Sequence, residues 1–186
     1  MSQTKLDPRL LDSSVALGAH DGSALTSLNA GFTQGTEQSA SGSFITFSGI
    51  PSGVQMVILN FAGVSISAHD HIRVQLGDAG GIETTGYTST GSQYLDNNTQ
   101  SVNTVQTDGF NISSNDSAMA IDGQMTFTIE DAANFTWCGS HVLHMGTAQI
   151  MLVGAGKKAL SAELTQLKII PDSGSFDAGA FNIMYI

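Results

Sequence analysis

Two clusters in this 186-residue chain have the residue types and spacing of metal ligands. His69-Asp70-His71 sets two imidazoles at i and i+2, one face of a strand, within reach of a single ion. Cys138, His141 and His144 make a second, looser group. Neither run supplies a full ligand set, and a polar turn leading into a strand accounts for the first, so the sequence predicts no metal site. Asp78 and Glu83 flank Gly80-Gly81 and have the character of a glycosidase carboxylate pair. Acids on a turn are ordinarily solvated, and that is the expectation for these two. Gly139-Ser140-His141 places a hydroxyl beside an imidazole, but a triad needs partners from separate segments and no Gly-x-Ser-x-Gly elbow occurs. Gly77-x-x-Gly-Gly81 lacks the Lys-Ser/Thr of a phosphate loop. The expectation is no catalytic residue, no cofactor and no metal ligand. Among the aromatics, Trp137 follows Phe135 in an alternating run and is expected in the core. Tyr87 and Tyr94 lie in a polar strand-loop region and are the candidates for an exposed contact patch.

The elements that would position these residues read as short strands. Ser43–Ser48 is the first, followed by a turn at Gly49-Ile50-Pro51-Ser52-Gly53. Val54–Phe61 is mostly apolar, as in a central strand, and Val64–Ser67 continues it past a bulge at Gly63. His71–Leu76 alternates, Gly80-Gly81 turns the chain back, and a polar strand runs from Thr84 towards Tyr94. Leu95–Asn103 reads as a polar loop and Val105–Ile112 as a weaker strand. In Gly123–Glu130 the alternation turns Met125, Phe127 and Ile129 inward. Phe135–Cys138, Thr147–Val153, Ala159–Ile170 and Gly179–Ile186 are further strands, with a hairpin turn expected at Gly154-Ala-Gly-Lys-Lys158. The spacing of these strands, almost without helix, predicts an all-β fold: an antiparallel β-sandwich, jelly-roll-like. Residues 1–42 hold few apolar side chains, Leu6, Leu10 and Leu11 among them, and read as an extended N-terminal arm for attachment or assembly. Residues 43–186 form the sandwich module.

Composition narrows the partners. Charged residues make up 12% of the chain, about half the usual share. Six Lys and Arg stand against 16 Asp and Glu, for a net charge of −10. With Lys157-Lys158 the only adjacent cations, neither nucleic acid nor an anionic membrane is an expected partner. The single cysteine, Cys138, excludes an intrachain disulfide. The opening residues have no apolar h-region, so no signal peptide is expected, and no run reaches the length of a membrane span.

Four blocks carry a resemblance. They are Gly49-Ile-Pro-Ser-Gly-Val-Gln-Met-Val-Ile-Leu-Asn-Phe-Ala-Gly-Val-Ser65, Val74-Gln-Leu-Gly-Asp-Ala-Gly-Gly-Ile-Glu-Thr-Thr-Gly-Tyr87, Leu160-Ser-Ala-Glu-Leu-Thr-Gln-Leu-Lys-Ile169 and Phe176-Asp-Ala-Gly-Ala-Phe-Asn-Ile-Met-Tyr185. Together they resemble the β-rich module of bacteriophage virion proteins of the tail-fibre and tail-spike type, over roughly residues 43–186. Lys168 stands where the pattern has an arginine, keeping the charge without the planar fork. The resemblance implies a non-enzymatic virion protein, made in the host cytoplasm and assembled as a homotrimer with other virion proteins. The arm would attach a tail fibre or receptor-binding component to the particle, and the sandwich would meet a host surface glycan or protein. A capsid decoration or head-fibre protein is the alternative; a polysaccharide-degrading enzyme using Asp78 and Glu83 is the third.

Overall fold

The computed structural model describes residues 31–95, 100–114, 117, 119–146 and 150–186. In chain order the strands are β1 (Thr33–Gln34), β2 (Gln38–Ser39), β3 (Ile45–Ser48), β4 (Met56–Ile66), β5 (Ile72–Asp78), β6 (Gly81–Ile82) and β7 (Tyr87–Tyr94). They continue as β8 (Gln100–Gln106), β9 (Phe110–Ile112), β10 (Ile121–Asp131), β11 (Thr136–Met145), β12 (Ile150–Ala159), β13 (Gln166–Pro171) and β14 (Phe176–Tyr185). Every pairing is antiparallel. One sheet runs β1-β14-β4-β10-β11-β12-β7-β8, with β2 also on β14; the other runs β3-β13-β5-β6, with β9 on β5. The chain passes repeatedly from one sheet to the other, and the two pack as the β-sandwich that strand spacing predicts.

The core follows from alternation. Met125 and Phe127 of β10 point inward and are fully buried, as do Val57, Leu59 and Phe61 of β4. The facing sheet contributes Ile72, Val74 and Leu76 of β5 and Leu167 and Ile169 of β13. Phe110 of β9 sits edge-on to Phe127 and Tyr87, with centroids 5.2 and 5.4 Å apart. Gly139 makes room for that aromatic group: a Cβ there would lie 2.8 Å from Phe110 and 2.9 Å from Phe127. The bulge in β4 falls where the sequence places it. Gly63 has φ +62°, and the register slips so that Phe61 and Val64 both face inward.

Three expectations change. Thr33–Ser39, grouped by composition with the arm, adds two short strands to the edge of the large sheet, and Gly42 bridges to Phe176. Edge strands are held by backbone hydrogen bonds and need few apolar side chains, so sparse hydrophobicity did not reveal them. The rest of the arm, with Leu6, Leu10 and Leu11, lies outside the described residues. Gly154 and Gly156 are not a turn but lie inside β12. A Cβ at Gly154 would meet His141 Cε1 at 2.4 Å, and one at Gly156 the Thr88 carbonyl at 2.5 Å, so these glycines permit close packing. Residues 100–103, read as loop, belong to β8, which pairs with β7, while Phe110–Ile112 crosses to the other sheet.

Candidate functional site

Asp78 and Glu83 do face each other across the Gly80-Gly81 turn, but they are not solvated. Asp78 is buried at the end of β5, and its carboxylate accepts from the Gly80 N–H at 2.7 Å and the Ser161 hydroxyl at 2.6 Å. Glu83 accepts from the Ser161 N–H at 2.7 Å, lies 2.9 Å from the Ser161 Oγ and forms an ion pair with the buried Lys158. The Ser161 hydroxyl and the Gly80 N–H hold the Asp78 carboxyl below its ordinary value. Burial alone would raise Glu83, and the Lys158 and Ser161 donors more than offset it. A retaining glycosidase sets two carboxylates about 5 Å apart, and one must hold a proton near neutral pH. Here both are pushed the other way, and Ser161 fills the space between them. The arrangement clasps the β5–β6 turn to the segment after β12.

Tyr87, expected at the surface, is 2% exposed. It is the inward residue at the start of β7, and its hydroxyl completes the same clasp. The Leu76 N–H donates to Tyr87 Oη at 2.8 Å, and the Tyr87 hydroxyl donates to the Glu83 carbonyl at 2.8 Å. Lys158 Nζ lies 5.5 Å from the ring centroid. Burial pushes the phenol well above its usual range. The polar neighbours that suggested exposure reflect the outward half of β7, where Thr88, Thr90 and Tyr94 face solvent.

The other chemical candidates are also tied into the fold. Asp70 accepts from the His71 N–H at 2.9 Å, and His69 Nε2 lies 3.1 Å from the Ser117 hydroxyl. Among the described residues no three His, Cys, Asp or Glu side chains come together to hold a metal. Ser140 and His141 point to opposite faces of β11. His141 is buried, and neither ring nitrogen has a hydrogen-bond partner among the described residues. Burial lowers its pKa to about 4, which keeps it neutral. Arg73 is shared by Asp108 and Asp172, joining β5 to the loops on both sides. Trp137 is buried, as expected, and floors a hollow of about 200 Å³ with Val54, Ile129, Phe135 and Leu164.

Tyr94 is exposed, as expected, at the far end of β7. The register places it beside Met151, Met151 beside His144, and His144 beside Asp122, in one row across β7, β12, β11 and β10. Met151 and His144 border an open hollow of about 500 Å³, lined also by Val142, Leu143 and Ile150, with Asp122 at its edge. Its size is in the range of small-ligand sites. Sequence reading missed Met151, His144 and Asp122 as neighbours of Tyr94, since only strand order brings them together. The row lies at the β14 Phe176 end of the large sheet. Thr33, where the chain joins that sheet, pairs with Tyr185 at the opposite end. No protein-family model, no curated protein and no solved structure matches the chain. Fold and site define the class: an antiparallel β-sandwich with the Asp78–Glu83 pair clasped against Ser161 and Lys158 and an open, mostly apolar hollow at one tip.

Proposed function

We propose that this chain is a non-enzymatic structural protein of a bacteriophage virion, a tail-fibre or receptor-binding component. In this reading the N-terminal arm joins other virion proteins and the sandwich meets a host surface glycan or protein. The placement of the Tyr94 row at the tip remote from Thr33 carries the proposal, because it turns a mostly apolar hollow, with Tyr94 paired to Met151 at its border, away from the strand where Thr33 joins the sheet. The resemblance of the four blocks supports it. So does the clasp, which occupies the Asp78–Glu83 pair that the sequence offers for glycoside hydrolysis.

Adsorption of the purified protein to cells that the virions infect, and competition with infection, test the reading. Tyr94→Ala and Met151→Ala are expected to weaken adsorption about tenfold each, the scale of a contact worth more than 1 kcal/mol. Protein that is missing from purified virions, or that neither adsorbs nor competes, overturns it. Counting copies per particle then separates a tail component, at a few to some tens, from a capsid decoration.

A further inference from the structure

The hollow above Trp137 is enclosed by three loops: the one before β4, the β10–β11 turn and the segment between β12 and β13. The register places it at the Thr33 end of the large sheet. Trp137 pairs with Ile129, Thr128 with Met56, Val57 with Tyr185, and Tyr185 with Thr33. The loops are tied to one another. The Ile129 N–H donates to the Gln55 carbonyl at 3.0 Å, the Leu160 N–H donates to the Phe135 carbonyl at 3.1 Å, and the Ser52 hydroxyl donates to Glu163 at the rim. Trp137 is 1% exposed, and its indole N–H has no acceptor among the described residues. Buried donors are nearly always paired, because a donor stripped of water without a new acceptor is costly. Phe135, in the wall, has φ +50° and is the one non-glycine residue with positive φ among the described residues. A side chain held in the left-handed region is strained, and such strain gathers at ligand clamps. The Asp131 carboxylate holds the turn before it, accepting from the Ala133 N–H at 2.9 Å and the Asn134 side-chain amide at 2.6 Å. Glu163 forms no ion pair among the described residues.

We infer that this hollow is a socket for a tyrosine side chain of a different protein, with a positive charge beside the ring. The lining sets three requirements. Val54, Ile129, Phe135 and Leu164 require an apolar body, the indole N–H requires an acceptor, and the unpaired carboxylate of Glu163 requires a cation at the rim. Tyrosine meets the first two: its ring packs against Phe135 and the aliphatic walls, and its phenol oxygen accepts from the Trp137 indole N–H. A lysine or arginine next to it in the partner meets Glu163 through a charge-assisted hydrogen bond. An anion could also accept from the indole, but the Glu163 carboxylate and a net charge of −10 oppose its approach. A second copy of this chain is not the occupant. Of its three tyrosines, Tyr87 is buried, and neither β7, which carries Tyr94, nor β14, which carries Tyr185, holds a Lys or Arg. The socket lies at the opposite end of the large sheet from the Tyr94 hollow, so its occupancy is independent of adsorption to cells.

Tyramine carries the phenol and the positive charge in one small molecule and is the probe. The chain's one tryptophan gives a single indole N–H resonance in a nitrogen-15 NMR spectrum of the full chain, which reads the floor of the socket directly. For a ligand of so few atoms the expected Kd is about 1 mM, with the indole resonance moving downfield as it gains an acceptor. Phenethylamine, which lacks the hydroxyl, is expected to bind about fivefold more weakly and to leave that resonance near its free position. p-Cresol, which lacks the charge, is expected to bind about threefold more weakly. In Glu163→Gln, whose amide oxygen can still accept from Ser52, tyramine and p-cresol are expected to bind alike. Circular dichroism and the urea midpoint confirm that the variant folds. An indole resonance that stays unmoved at tyramine concentrations well above the expected Kd overturns the inference. So does phenethylamine that binds as tightly as tyramine, or a folded Glu163→Gln protein that keeps the preference for tyramine over p-cresol. The titration contains no cells, so failure here leaves the adsorption result standing, and the reverse.

Discussion

Replacing Tyr87 with Phe isolates what the buried hydroxyl does. The ring, its edge contact with Phe110 and its burial are kept. The Leu76 N–H, inside a buried stretch of β5, loses the acceptor 2.8 Å away, and the Glu83 carbonyl loses a donor at the same distance. A stranded buried donor costs about 1–3 kcal/mol, so Tyr87→Phe is expected to lower stability by about 2 kcal/mol. For a domain of this size that is a fall of about 4–8 °C in Tm. Tyr87→Ala also empties the space beside Phe110 and is expected to cost about 4–5 kcal/mol. Urea unfolding followed by Trp137 fluorescence measures both, because the chain's one tryptophan is buried in the same core. The slope with urea should not change, since the same surface is exposed on unfolding. A Tyr87→Phe protein within about 0.5 kcal/mol of wild type refutes the clasp argument. So does a Tyr87→Ala protein of wild-type stability that fails to adsorb to cells, which would return Tyr87 to a contact role.

Two further perturbations test other buried groups. His141 keeps its neutral form in the folded chain down to about pH 4, whereas in the unfolded chain it takes up a proton near 6.5. Its depressed pKa makes stability fall as the pH drops, by about 2–3 kcal/mol between pH 6.5 and 4.5. Asp78 and Glu83, whose pKa values are lowered, lose their contribution mainly below that window, Glu83 beginning at its acid end, and burial of Asp172 acts in the opposite sense. Urea unfolding across this range should show the slope in wild type and its loss in His141→Gln; equal slopes would contradict a buried neutral imidazole. Lys158→Met leaves Glu83 with Ser161 as its remaining side-chain partner and should cost about 1–2 kcal/mol, less than a fully buried broken pair because Glu83 keeps 23% exposure. A Lys158→Met/Glu83→Gln double variant should recover part of that loss, and strict additivity in the cycle would show that the two do not interact.

The parts of the fold legible in sequence are those fixed by neighbours in the chain. Met125 and Phe127 declare the phase of β10, and Gly63 and Gly80-Gly81 mark a bulge and a turn by backbone freedom alone. What was misread depends on residues far away in sequence. Tyr87 begins an inward series, Tyr87, Ser89, Gly91 and Gln93, that is largely polar or small because Phe110 and Asn111 of β9 press down on it. A Cβ at Gly91 would lie 2.8 Å from the Asn111 carbonyl. That series hides the alternation that would mark it as buried. Gly154 and Gly156 carry the composition of a turn, and only His141 on β11 and Thr88 on β7 show why glycine stands there. The candidate row of Tyr94, Met151, His144 and Asp122 spans four strands and has no linear signature at all.

The net charge of −10 takes on a different meaning once the acids are placed. Asp78, Glu83, Asp108 and Asp172 are not a solvated anionic coat; they bind Ser161, Lys158 and Arg73 at the joints between strands and turns. Arg73 and Lys158 are consumed in the same joints, while Lys157 stays exposed and Lys168 lies over Phe44. What remains on the centre of the large sheet and around the Tyr94 hollow is mostly neutral: threonine, serine, amides, valine and methionine. Long-range electrostatics cannot steer a partner to such surfaces, so recognition there has to come from shape and apolar contact over many side chains.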